Sequence, residues 1–364
     1  MLRMGYTTGT CAALAAQGAA RLLLTGRAPA AVSLTTPKGL EVNVALAGAE
    51  LEDGIARCAV RKDAGDDYDV TDGMLVWASV RKREAPGVHI DGGQGVGRVT
   101  RPGLDQPVGA AAINRVPRRM IGEQVEKVCD ELGYDGGMEV IISVPGGEET
   151  AARTFNPALG VEGGLSILGT SGIVEPMSEQ AIVDTIAVQL RQAALESRDL
   201  ILTPGNYGED FLKGAGLDGL GVPVVKCSNF LGEALDIAAN QGFQRVLLVA
   251  HVGKLVKVAG GIMNTHSKYA DCRTELFCAH AALRGANVQL CRSLMDAATT
   301  DACIELLDRA GLRQAVIDSL LSAIQLHLER RAAGAYAIGA VMFSNVYGLL
   351  GRTEQAEKIL EGWK

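Results

Sequence analysis

The sequence predicts a two-domain protein of mixed α/β class: an α+β layer domain over residues 1–150 and a doubly wound α/β domain over residues 151–364. Three observations predict it. A length of 364 residues gives a prior of two domains. The first 150 residues set several β-type runs beside few helices, the pattern of an α+β layer. From about Met138 short continuous apolar runs alternate with helical patterns, as in a parallel sheet covered on both faces.

Residues 10–24 read as a helix of small side chains, closed by Thr25-Gly26 because glycine accepts the left-handed turn that ends helices. Strands are expected at 32–36, 40–46, 55–61 and 74–81, each bounded by turn residues. A second helix is expected over 118–132, closed by Gly133. MEVIISVP, GLSILGTSG, RDLILTPG, VPVVKCS and QRVLLVAHV then read as buried strands, with helices over 178–195 and 231–240 among them. Several of these runs end in Gly169-Thr170-Ser171-Gly172, Pro204-Gly205-Asn206, Ser228-Asn229 and His251-Val252-Gly253. Ligands of open α/β sheets sit outside the carboxyl ends of the strands, so the second domain is expected to bind a small molecule there. Between Arg331 and Arg352 lie twenty uncharged residues, enough to span a bilayer. Four glycines, Ser344 and Asn345 favour instead a buried strand over 336–343, a turn and a short helix. That closing strand and helix could pack on either domain.

Charge narrows the function. With 35 Lys plus Arg against 42 Asp plus Glu, the net charge is −7, which argues against a nucleic-acid partner. Aromatic residues at 4% leave few platforms for stacking bases. Eight cysteines without a C-x-x-C point to reduced thiols in a cytosolic protein, not to structural zinc. The N-terminus shows no apolar run behind a basic one, so a cytoplasmic location is expected. No heptad assigns an oligomeric state.

The motifs are individually modest. Gly93-Gln94-Gly95-Val96-Gly97 lacks the strand and helix of a dinucleotide fingerprint and reads as a hairpin or bulge. Gly169-Thr170-Ser171-Gly172, after a strand-like run and before a helix, suits an anion or cofactor edge. Gly253-Lys254 lacks the rest of a P-loop. The loop 61–73 carries Asp63, Asp66, Asp67, Asp69 and Asp72; a turn with Asx hydrogen bonds is favoured over a Mg²⁺ or Ca²⁺ site, and no metal is expected. Two segments run against the global charge: 98–119 and 245–273 are each locally +4, which suits a multiply anionic small ligand. His251 and His266 fall where an α/β site is expected.

Taken together the segments resemble a known family. GYTTGTCAA, VRKDAGDDYDVTDG, GQGVGRVTRPGL, INRVPRRMI, ISVPGGE, RTFNPALGVEGGLSILGTSGIVEPMS, TPGNYG, KCSNFLG and HVGKLVKVAGGIMNTHS occur in family order over nearly the whole chain. They resemble the cobalt-precorrin-5B C-1 methyltransferase (CbiD-type) family of anaerobic cobalamin biosynthesis. The resemblance implies methyl transfer from S-adenosylmethionine to ring carbon C-1 of a cobalt-precorrin, cobalt entering only as part of the substrate. It also implies an α+β N-terminal part and a Rossmann-like second part. Under this reading Gly169, Thr170, Gly172, Pro204, Gly205 and Asn206 would border the donor. Arg98, Arg115, Arg118, Arg119, Lys254 and Lys257, with Thr7 and Thr8, would hold the substrate and its carboxylate arms. Asp63, Asp66, His251 and His266 would handle protons or touch the ring. The alternatives are removal of the extruded ring-carbon fragment from the same tetrapyrrole, or a non-catalytic corrinoid-binding scaffold.

Overall fold

The computed structural model describes residues 2–205, 207–215 and 218–363, with only the backbone of Asp218. The chain divides into two compact units, Met1–Glu179 and Gln180–Lys364. Residues 151–179, which the sequence reading places with the second domain, therefore go with the first.

The first unit contains, in order, β1 (Gly5–Tyr6), α1 (Thr8–Thr25), β2 (Ala31–Thr35), β3 (Glu41–Ala45), β4 (Gly48–Glu52), β5 (Ile55–Arg61), β6 (Leu75–Arg83), β7 (Val88–Gly92) and β8 (Arg98–Val99). It continues with α2 (Arg115–Glu131), β9 (Gly137–Ser143), α3 (Gly147–Ala151), β10 (Val161–Glu162) and β11 (Ile173–Val174). Its main sheet has the order β4-β5-β6-β9-β7, antiparallel except for the parallel β7–β9 pair. Every second residue of three strands is buried: Ala56, Cys58 and Val60, then Val76, Ala78 and Val80, then Met138, Val140 and Ile142. That period of two buries one face against α1 and α2. The small residues of α1, from Cys11 to Ala20, let its backbone lie close to the sheet. Gly26 closes the helix at φ +70° as expected.

Two expectations change here. MEVIISVP is β9 of this sheet and not a strand of the second domain. GLSILGTSG forms no named strand before Ile173; Leu165 and Ile167 only bridge Val96 and Ile113. Strand β4 escaped the sequence reading because four of its five residues are exposed, leaving no alternation to see.

The second unit runs α4 (Glu179–Glu196), β12 (Asp199–Thr203), α5 (Tyr207–Gly214), β13 (Val224–Lys226), α6 (Leu231–Gln241), β14 (Arg245–His251) and α7 (Val252–Val258). Then come α8 (Arg273–Leu283), α9 (Val288–Met295), α10 (Thr300–Arg309), α11 (Arg313–Ala332), β15 (Ala337–Ser344), β16 (Gly348–Arg352) and α12 (Glu354–Glu361). The sheet order is β13-β12-β14-β15-β16, parallel except for β16. Alternate strand residues enter different cores. Leu200, Leu202, Val246, Leu248 and Ala250 pack with residues of α4, α6 and α11. Ile201, Leu247, Val249, Val341 and Phe343 pack with α5 and α12. Burial on both faces is why these strands read as unbroken apolar runs. The uncharged stretch before Arg352 is β15 and β16, a strand replacing the expected short helix, and both belong to this unit. Among the described residues no helix is long and apolar enough to cross a membrane.

Candidate functional site

In the second sheet the chain leaves β12 toward β13 on one side and later leaves β14 toward β15 on the other. Connections that diverge in this way open a crevice at the carboxyl ends of the two central strands. Three strand ends meet the expectation: Thr203, Pro204 and Gly205 after β12, Ser228 and Asn229 after β13, and His251, Gly253 and Lys254 after β14. Asn206 lies outside the described residues.

His251 caps α7: its Nδ1 accepts from the backbone N–H of Gly253 at 3.1 Å. The proton of the neutral ring therefore resides on Nε2. Burial lowers the pKa below the usual imidazole value, which keeps the ring uncharged. Tyr207 and the edge of Phe343 flank it, with centroids 6.0 and 5.6 Å away. Lys254 is half-buried and donates from Nζ to Asn229 Oδ1 at 2.7 Å and, more weakly, to the carbonyl of Ser228 at 3.4 Å. Burial lowers its pKa as well. Among the described residues the buried Thr203 hydroxyl has no partner. Asn229 and Tyr207 belong to strand-end runs that the sequence singled out, whereas Thr203 was not named as a site residue; its signal is position beside a strand end.

Lys257 is placed differently from expectation. It is 1% exposed, and its ammonium donates to the Thr265 carbonyl, Ser267 Oγ and the Ala270 carbonyl at 3.1, 3.2 and 2.9 Å. Three donors on three acceptors leave nothing for a substrate carboxylate. His266 is exposed, and its Nδ1 accepts from the backbone of Lys268 in its own turn.

The remaining candidates lie in the first unit. Gly169, Thr170 and Gly172 are not the edge of the second sheet; their loop covers the start of α1. Gly9 N–H donates to the Leu168 carbonyl, and Thr10 Oγ1 and Thr7 N–H to the Gly172 carbonyl. Thr8 Oγ1 meets Leu168 through both its carbonyl and its N–H, while Thr7 Oγ1 accepts from Thr10 N–H. Thr7 and Thr8, both buried, thus fasten a helix start whose Gly9, Thr10 and Cys11 N–H groups already have acceptors, which counts against an anion there. Thr170 is exposed.

The acidic loop is a fastening of the same kind. Asp63 pairs with Arg3 at 2.6 Å and accepts from Gly65 N–H, and Asp66 accepts from Arg3 N–H at 2.7 Å. Asp67 accepts from Met177 N–H, Asp69 from the buried Lys62 and from Thr71, and Asp72 from Ala64 N–H. Asp63 and Asp66 therefore hold the N-terminal segment, which counts against a role as free proton carriers.

Of the first basic segment, Arg118 is turned inward. Its guanidinium donates to the carbonyls of Ile113, Ile90 and Ala111 at 2.8, 2.8 and 3.3 Å. That corrects its expected role on a substrate arm. Arg98 is paired with Asp91 at 3.1 Å. Arg115 and Arg119 are exposed on α2, with Glu123 3.6 Å from Arg119. Gly93-Gln94-Gly95-Val96-Gly97 is a close backbone crossing instead of a hairpin: a Cβ on Gly95 would collide with the Val144 carbonyl, and one on Gly164 with the Gly95 carbonyl. Gly95 N–H donates to Glu148 at 2.9 Å.

Comparison with known proteins places the chain. The family model CbiD matches residues 1–176, and the model for the CbiD C-terminal domain matches 264–354. A Ruminiclostridium cellulolyticum protein, cobalt-precorrin-5B C(1)-methyltransferase, is 48% identical over 95% of this chain and 90% of its own. The chain belongs to the CbiD family. An Alkaliphilus metalliredigens CbiD relative of the same name is 42% identical over 99% of this chain and 94% of its own. A solved structure of a cobalamin biosynthesis protein (cbiD) from Archaeoglobus fulgidus matches at 30% identity over 74% of this chain and 83% of that one, with a TM-score of 0.40.

Proposed function

We propose that this CbiD-family chain methylates ring carbon C-1 of cobalt-precorrin-5B, giving cobalt-precorrin-6A, with S-adenosylmethionine as donor. The observation that carries the reading is near-full-length similarity to relatives bearing the name cobalt-precorrin-5B C(1)-methyltransferase. The donor brings an electrophilic sulfonium methyl that an enamine-type ring carbon can attack directly. The chain's part is then to align the two and keep water out, which needs no protein nucleophile.

The crevice of the second unit is where we place the donor, and the Rossmann-like reading of that unit rests on its parallel strands and helix-covered faces. Pro204 and Gly205 would border it. His251, uncharged and with an Nε2 proton that has no acceptor among the described residues, can orient a polar group without repelling the sulfonium charge. Arg115 and Arg119 of the first unit are exposed, and their guanidinium groups suit carboxylates. A cytoplasmic workplace is in keeping with eight free cysteines.

Incubating the protein with methyl-labelled donor and cobalt-precorrin-5B, followed by mass analysis of the tetrapyrrole, tests the proposal. Gain of one labelled methyl group is expected; an unchanged tetrapyrrole, or fragment loss without methylation, would overturn it.

A further inference from the structure

We infer that Lys254, held by Asn229 beside Gly205, is the point at which the strand-end crevice takes a ligand carboxylate; this rests on the functional reading above. The other cations nearby are engaged. Lys226 at the end of β13 pairs with Glu209 at 3.0 Å, Arg273 pairs with Asp271, and Lys257 is sealed under its loop. Lys254 differs. Among the described residues no carboxylate pairs with it, and its acceptors are one amide oxygen and one backbone carbonyl, both neutral. A half-buried ammonium with only neutral partners has lost hydration without gaining a counter-charge, and an anion completes it.

Asn229 fits a positioning role. Its Oδ1 accepts from Thr265 Oγ1 at 3.2 Å as well as from Lys254, and its carbonyl accepts from Thr265 N–H at 2.9 Å. The amide is thus held from the far side and presents the ammonium in one place. Because it is uncharged, it orients Lys254 without neutralising it. Gly205 keeps the approach clear. At φ +86° it suits glycine, and a Cβ there would stand 3.3 Å from Lys254 Nζ. The carboxylate belongs to one of two sources, the aminoacyl end of the sulfonium donor or an arm of the tetrapyrrole.

Two variants and three probes decide. Lys254→Gln keeps an N–H donor on a side chain one bond shorter and removes the charge. Asn229→Asp keeps the shape and supplies a resident carboxylate that pairs with Lys254. Calorimetry with S-adenosylhomocysteine is expected to show affinity weakened about tenfold or more in both variants, the fold-change of one lost charge-assisted bond. Binding of 5′-methylthioadenosine, which lacks the carboxylate, should be unchanged, and Asn229→Asp should melt no lower than wild type. If S-adenosylhomocysteine binds all proteins alike but absorbance titration shows cobalt-precorrin-5B weakened about tenfold, the carboxylate is a tetrapyrrole arm. Equal affinities of wild type and both variants for every probe overturn the carboxylate point while leaving the functional reading intact. A wild-type protein that binds these ligands without transferring methyl sinks the functional reading instead, and the variant comparison still decides the role of Lys254. One that binds none of them sinks both.

Discussion

The ammonium of Lys257 lies 3.1 Å from the carbonyl oxygen of Thr265, at the end of a side chain that is 1% exposed. A lysine in a basic run suggests a ligand grip, but here the charge ties residues 265–270 to α7. We expect Lys257→Met to lower stability by about 1–3 kcal/mol, since three acceptors lose their donor. Hydrogen exchange should show lost protection over 265–270. A variant with wild-type stability and unchanged exchange would contradict the anchoring role.

Arg118 and its neighbour Arg119 should separate cleanly. Arg118→Ala leaves the carbonyls of Ile113, Ile90 and Ala111 without their donor and should cost about 2–3 kcal/mol in a urea titration. Arg119→Ala, on an exposed i,i+4 pair with Glu123, should stay within about 0.5 kcal/mol. A reversal of that order would show the inward placement of Arg118 to be wrong.

Glycines divide by what surrounds them. Gly95→Ala puts a Cβ into the Val144 carbonyl at a position with φ +72°, and should fail to yield folded protein. Gly109→Ala also meets a positive φ, +89°, but open space, and should cost only about 1 kcal/mol. Soluble yield and circular dichroism of the two variants read the difference.

Acid should weaken the fold in part through His251. Burial holds its folded pKa below 6.5, the ordinary value taken for the unfolded chain. Between those two values the unfolded chain binds more protons, so stability rises with pH and levels off above about 6.5. Urea midpoints should therefore fall from about pH 7 to about pH 5.5, and His251→Gln should flatten part of that fall. His280, half-buried against Ser319 and lowered in the same direction, supplies a remainder. Parallel pH profiles for variant and wild type would remove His251 from this account.

Local features proved legible where neighbours in sequence decide them. The small-residue helix ending at Gly26 and the strand Ile55–Arg61 match their expected spans to within a residue or two. The continuous apolar runs of β12 and β14 were read as strands covered on both faces, and they are. The candidate site was half legible. His251, Pro204, Gly205 and Lys254 stand at the expected strand ends, whereas Gly169 and Gly172 close the start of α1 in the other unit. A glycine cluster after an apolar run looks the same in both settings.

By itself the sequence determined the period of each element, the caps that stop helices, and the succession of segments that marks the family. These depend on residues a few positions apart, and backbone geometry translates them directly into structure. Only the tertiary structure decided which charges are available. Arg3 meets Asp63 across sixty positions, Arg118 meets Ile90, and Asn229 holds Lys254. Whether a cation grips a ligand or a loop depends on which acceptors the fold brings within about 3 Å of it, a distance set by packing and not by spacing along the chain.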